Sequence, residues 1–197
     1  MDSIQKVVSK ELNLNQKVVS LGGDHSITFP IIQAYSQSYS DLNILHIDAH
    51  PDLYDNFENN PYSHASPFAR IMEKGLVNRL VQVGIRTLND HQREQVKRFG
   101  VEVIEMNNFD SSLLLQFDGP VYISIDIDAL DPAFAPGISH LEPGGLSTRD
   151  VINIIHQLNG NVVGGDIVEY NPDRDINGMT AVVGAKLLKE LLGKILK

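Results

Sequence analysis

The stretch Asn43-Ile44-Leu45-His46-Ile47-Asp48-Ala49-His50-Pro51-Asp52 decides the fold. Its first half is an apolar run of strand length. Its second half places three metal-ligating side chains, Asp48, His50 and Asp52, at a spacing of two. In extended backbone, residues i, i+2 and i+4 point the same way. The three are therefore expected to converge at the end of a strand. His46 shares their parity but lies deeper, so a core or supporting role is expected for it. In open α/β sheets, ligands bind at the carboxyl ends of the strands.

The rest of the chain repeats this pattern. Val18, Val19 and Leu21 form a short strand running into Gly22-Gly23-Asp24-His25-Ser26, where a helix opens and continues to Tyr39. Asp24 reads as a turn or cap residue. Leu80 to Ile85 and Val101 to Ile104 read as strands. Val121 to Asp128 is the strongest, rich in β-branched and aromatic residues. Val162 to Val168 is the last, ending at Glu169. Helices are expected over 1–14, 67–74, 90–99, 111–117, 147–158 and 179–196, with Ser147 and Asp150 spaced as a capping box. Alternation of apolar strands with helices means a mainly parallel sheet covered on both faces. The expected fold is a three-layer αβα sandwich in one domain spanning 1–197. The polar loop from Leu53 to Ser66 is long for a compact domain, which marks it as functional.

Composition narrows the function. The chain has 197 residues, 42% of them apolar, enough for a real core. A formal net charge of −9 argues against nucleic acid or an anionic membrane as partner. There is no cysteine, which excludes disulfides, thiolate metal sites and cysteine nucleophiles. No stretch has the apolar length of a membrane span or the apolar centre of a secretory signal, so a cytoplasmic location is expected.

Four strand ends carry acid or imidazole: His25, the Asp48/His50/Asp52 triplet, Asp126 with Asp128, and Glu169. Like-charged carboxylates cluster in an interior only when cations neutralise them. Oxygen and imidazole donors without thiolate suit manganese, cobalt, nickel or iron, and zinc less exclusively. His25, Asp48, His50, Asp52, Asp126 and Asp128 are too many ligands for one catalytic ion that keeps a water. They suit two ions with shared carboxylates, which together lower the pKa of a water. His91, His140 and His156 sit among polar or helical residues, and surface or helix roles are the default for them.

Three segments carry a family resemblance. Gly22-Gly23-Asp24-His25-Ser26, Asp48-Ala49-His50-Pro51-Asp52 and Ser124-Ile125-Asp126-Ile127-Asp128-Ala129-Leu130-Asp131-Pro132 resemble, in order, the signatures of the ureohydrolases, the manganese-dependent arginases, agmatinases and related amidinohydrolases. The stretches 62–70 and 134–147 look most like plant-type arginases. The resemblance implies two Mn2+ ions. His25, Asp48, Asp52 and Asp126 would hold one, and His50, Asp48, Asp126 and Asp128 the other. Asp52 would also accept a hydrogen bond from the metal-bridging hydroxide. His64 would be the catalytic proton shuttle, and Glu169 would pair with the substrate guanidinium. The implied reaction is hydrolysis of L-arginine to L-ornithine and urea, with agmatine to putrescine and urea as the alternative. The implied assembly is a homo-oligomer, a trimer or hexamer.

The resemblance also sets out departures. Family members usually carry two further strands before the Gly-Gly-Asp-His signature, so the expected sheet is truncated at that edge. An inactive homologue acting in metal binding or subunit association is the corresponding alternative. Tyr54 stands where animal-type arginases have Asn, so residues that would read an amino-acid end are not recognisable in this loop.

Overall fold

The computed structural model describes residues 1–197. Six strands form one parallel sheet: β1 (Val19–Leu21), β2 (Asn43–Ile47), β3 (Arg79–Ile85), β4 (Glu102–Glu105), β5 (Gln116–Asp126) and β6 (Asn159–Val168). Their spatial order is β1-β6-β5-β2-β3-β4, with every pairing parallel. The helices are α1 (Asp2–Asn13), α2 (Thr28–Ser38), α3 (Pro67–Glu73), α4 (Asp90–Phe99), α5 (Thr148–Gln157) and α6 (Met179–Ile195).

Period-two alternation along the strands feeds two cores, one on each face. Leu45, Ile47, Val83, Ile123 and Ile125 pack under α5 and α6 through Val151, Ile155, Leu187 and Leu191. Ile44, Leu80, Tyr122 and Val163 pack under α1, α2 and α3 through Val8, Phe29, Ile32 and Phe68. This is the three-layer αβα arrangement expected from the alternation. Capping acts as the sequence predicts at α5, where Ser147 and Asp150 close a reciprocal capping box.

Two boundaries differ from expectation. Residues 111–117 form no helix. Asp110 accepts from the backbone and hydroxyl of Ser112 in a tight turn, and β5 begins at Gln116. The short apolar run Leu113–Leu115 fits either period. Pairing decides it: Asn159 N donates to Leu115 O, and Leu115 and Phe117 point into the core while Gln116 faces out. For the same reason β5 and β6 start earlier than their apolar stretches, with the register irregular around Pro120.

Adjacent glycines in β6 let a large side chain close the layer beneath it. A Cβ on Gly164 would fall 1.9 Å from the Tyr35 hydroxyl, which itself donates to Val18 O. Gly164→Ala is predicted to destabilise the protein by about 1–3 kcal/mol or more, as overpacking does. Gly193→Ala, exposed on α6 with nothing within 4 Å of its Cβ, should stabilise it slightly. Equilibrium denaturant unfolding checks both.

Candidate metal centre

Strand alternation accounts for only part of the site. β2 ends at Ile47, and Asp48 follows it on the side of His46, which donates to it. His50 and Asp52 arrive through the turn that follows, where Asp52 adopts φ 49°. Asp128 lies in a 3-10 turn after β5. Glu169, just beyond β6, has φ 66°. Asp52 and Glu169 are two of the six non-glycine residues in the left-handed region, and local strain of this kind is what functional sites hold.

The structure brings the six predicted ligands together. His25 Nδ1 stands 3.2 Å from Asp48 Oδ2, 3.1 Å from Asp52 Oδ2 and 3.1 Å from Asp126 Oδ2. His50 Nδ1 stands 3.0 Å from Asp128 Oδ2 and 3.5 Å from Asp48 Oδ1. Asp48 thus faces both imidazoles. Its ligand atoms group with His50 and Asp128 on one side and with His25 and His46 on the other. All four carboxylates are buried. Asp24, by contrast, caps its own turn by accepting from Ser26 N at 3.1 Å.

A row of polar side chains lies one level beneath. Gln82, His46, Ser124 and Asp166 come from four adjacent strands at matched register. His46 Nδ1 lies 3.0 Å from Gln82 Nε2, which can only donate, so His46 Nε2 carries the proton and donates to Asp48 Oδ2 at 2.7 Å. With both nitrogens used, His46 supports Asp48 rather than ligating. Ser124 Oγ donates to Asp166 Oδ1 at 2.7 Å and so accepts from His25 Nε2 at 2.9 Å. That leaves His25 Nδ1 aimed at the carboxylates. Asp166 is held by Thr28 and Tyr122 as well. Such hydrogen bonds to the far nitrogen orient metal-ligating histidines.

The electrostatics describe a site that needs positive charge. Burial, reinforced by the neighbouring Asp48 carboxylate, raises Asp52 from 3.8 to about 7 and Asp128 to about 6. Burial raises Asp126 too, with Asp128 and Asp48 adding to it. Burial alone would lower the two histidines. Hydrogen bonds to Asp126, Asp48 and Asp52 overcome this at His25, and those to Asp128 and Asp48 raise His50 to about 12. Burial wins at His46, which falls to about 4. Protons on carboxylates and imidazoles thus do the work cations would do. The buried, oxygen-rich donor set with its thiolate-free chemistry fits divalent metal.

Above this floor is a cavity of about 210 Å³. His64 and Glu169, both predicted from sequence, line it. Glu169 Oε1 accepts from His25 N at 2.8 Å. Tyr54, His140 and Glu142 line it as well, and sequence reasoning left His140 on the surface. The available signal was its position in the Pro/Gly-rich loop that follows Asp126 and Asp128, because that loop leaves from the carboxyl edge.

The chain has known relatives. The Arginase family model matches residues 1–193. The chain belongs to the arginase family. It is 55% identical to "Arginase 1, mitochondrial" of Arabidopsis thaliana, over all of this chain and 61% of that protein. It is 35% identical to an agmatinase of Bacillus anthracis, over 98% of this chain and 68% of that protein. The solved arginase from Medicago truncatula superposes with a TM-score of 0.94 at 51% identity, covering 98% of this chain and 65% of that one. The chain therefore spans about three fifths of the length of the plant arginases it matches. No helix of this arginase-family chain is long and apolar enough to cross a membrane.

Proton occupancy gives a test of the site. In the metal-free protein His50 and Asp52 hold protons near neutrality that the unfolded chain, with values of 6.5 and 3.8, gives up. The folded state then binds more protons than the unfolded one, so stability falls as pH rises from about 6.5 to about 8. His46 does not oppose this, since its lowered value matters only below 6.5. Mn2+ should displace these protons. Thermal melts of metal-free protein should show Tm falling across that window, and calorimetry in buffers of different ionisation enthalpy should show proton release on Mn2+ binding.

Proposed function

We propose that this chain carries the catalytic centre of a binuclear manganese amidinohydrolase that converts L-arginine to L-ornithine and urea. The observation that supports the reading most is the shared cavity. His50, Asp52, Asp126 and Asp128 form its floor, with His25 and Asp48 buried directly against them, and His64 and Glu169 stand in its walls. We assign His25, Asp48, Asp52 and Asp126 to one Mn2+ ion, and His50, Asp48, Asp126 and Asp128 to the other. Bound divalent cations supply Lewis-acid activation of water.

The chain's own residues do the rest. Glu169 keeps one oxygen on the His25 backbone and offers the other to the guanidinium, a planar cation that carboxylates recognise well. This pairing sets the guanidinium carbon over the floor, and positioning of that kind contributes to the rate. Asp52, on the same floor, accepts a hydrogen bond from the attacking water. As the carbon–nitrogen bond to the side chain breaks, the departing amine takes a proton from His64, the imidazole in the cavity wall. Urea and ornithine result.

Agmatine is the second reading. No lysine or arginine lines the cavity, while Glu142 does. The wall offers a carboxylate to an amine and no side-chain cation to an α-carboxylate. The proposal also includes a homo-oligomer, a trimer or hexamer, and the cytoplasmic address expected from the sequence. The Arabidopsis relative is named as mitochondrial, and cell fractionation separates the two.

Urea release from Mn2+-loaded protein, with arginine and agmatine in parallel, tests the proposal. Urea from arginine with the higher kcat/KM is expected. No urea from either substrate, with both ions bound, would overturn the enzyme reading in favour of an inactive metal-binding homologue. His64→Ala should lower kcat by about 10²–10⁴-fold with manganese content unchanged.

A further inference from the structure

His64 is held by ring contacts. The Phe57 ring meets it edge-on at 5.7 Å and 72°. The His140 ring lies nearly parallel to it, with centroids 5.6 Å apart at 16°. His140 in turn meets His50 edge-on at 5.9 Å and 77°. The three imidazoles form a ladder from the metal-centre floor to the cavity wall.

The segment bearing His140 is clamped on both sides. Toward its N-terminal side, Ile138 bridges to Tyr170, and Asn171 N donates to Gly137 O at 2.8 Å. Asn171 Nδ2 donates to Ser139 Oγ, and Arg174 Nη1 to Ser139 O, each at 3.0 Å. Toward its C-terminal side, Arg86 donates twice to Glu142 O, at 2.9 and 2.7 Å. The same guanidinium also donates to the backbone carbonyl of Asp128 at 2.7 Å. One clamp is continuous with Glu169 and the other with Asp128. His140 is thereby built into the frame of the site, whereas His64 rides on the long polar loop between β2 and α3.

We propose that His140 is a positioning residue whose fixed ring, opposite Phe57, forms the slot that holds His64 over the cavity. This rests on the reading of His64 as the proton donor. Aromatic stacking favours the stacked arrangement by a factor of a few to about ten. A proton donor displaced from its line loses rate rather than binding.

The test is a double-mutant cycle on Mn2+-loaded protein with His140→Ala, His64→Ala and both, plus His140→Phe. His140→Ala should lower kcat roughly 10-fold with KM and manganese content little changed. His140→Phe, which keeps the stack without the ring nitrogens, should restore most of it. In the His64→Ala background, His140→Ala should cost nothing further. An equal loss in both backgrounds, or a loss confined to KM, would overturn the proposal. A second readout needs no activity: imidazole NMR of the metal-free protein should give His64 one sharp set of resonances in wild type and His140→Phe, and exchange-broadened ones in His140→Ala. Sharp, unchanged His64 resonances in His140→Ala would also overturn it. If His64→Ala costs no activity, the proton-donor role falls, and the NMR comparison still decides whether His140 holds His64.

Discussion

Four buried carboxylates, Asp48, Asp52, Asp126 and Asp128, crowd one edge of the sheet, and their mutual repulsion is the constraint around which the rest is arranged. A protein interior tolerates such a group only if positive charge meets it. Within the chain itself His25 and His50 meet it most directly, taking up protons against the pull of burial. A folded chain that keeps these residues together is therefore built for cations that arrive from solution.

The parallel sheet makes that crowding possible. Three adjacent strands end at one level, so side chains from β2, β5 and β6 reach the same point. One register row down, the polar side chains of β3, β2, β5 and β6 fix His25 and Asp48 above them. Ser124 and Asp166 hold His25, and the proton on His46 is committed to Asp48. The apolar layers on both faces keep this row dry, which strengthens each of its hydrogen bonds. Phe68 contributes directly, stacking on His46 with centroids 3.9 Å apart.

Much of this was legible in the sequence. The alternation of apolar strands and helices announced the layers, and the acids and imidazoles at the strand ends announced the floor of the site. What the sequence concealed has physical causes. Residues 111–117 carry an apolar run too short to choose a period, and pairing with β6 settled it. Asp52 and Glu169 reach the site through left-handed backbone, which no side-chain pattern signals outside glycine. His140 enters the cavity because Arg86, Asn171 and Arg174 fold its loop back over the floor, and those contacts are remote in sequence.

The central claim is that this cluster holds two metal ions at once, with carboxylates serving both. Equilibrium dialysis against Mn2+ followed by elemental analysis measures it directly. Two ions per chain are predicted, with both lost or weakened when Asp48→Asn removes the carboxylate that faces both histidines. A saturating value of one ion or none per folded chain, or two ions that persist unweakened in Asp48→Asn, would contradict the account.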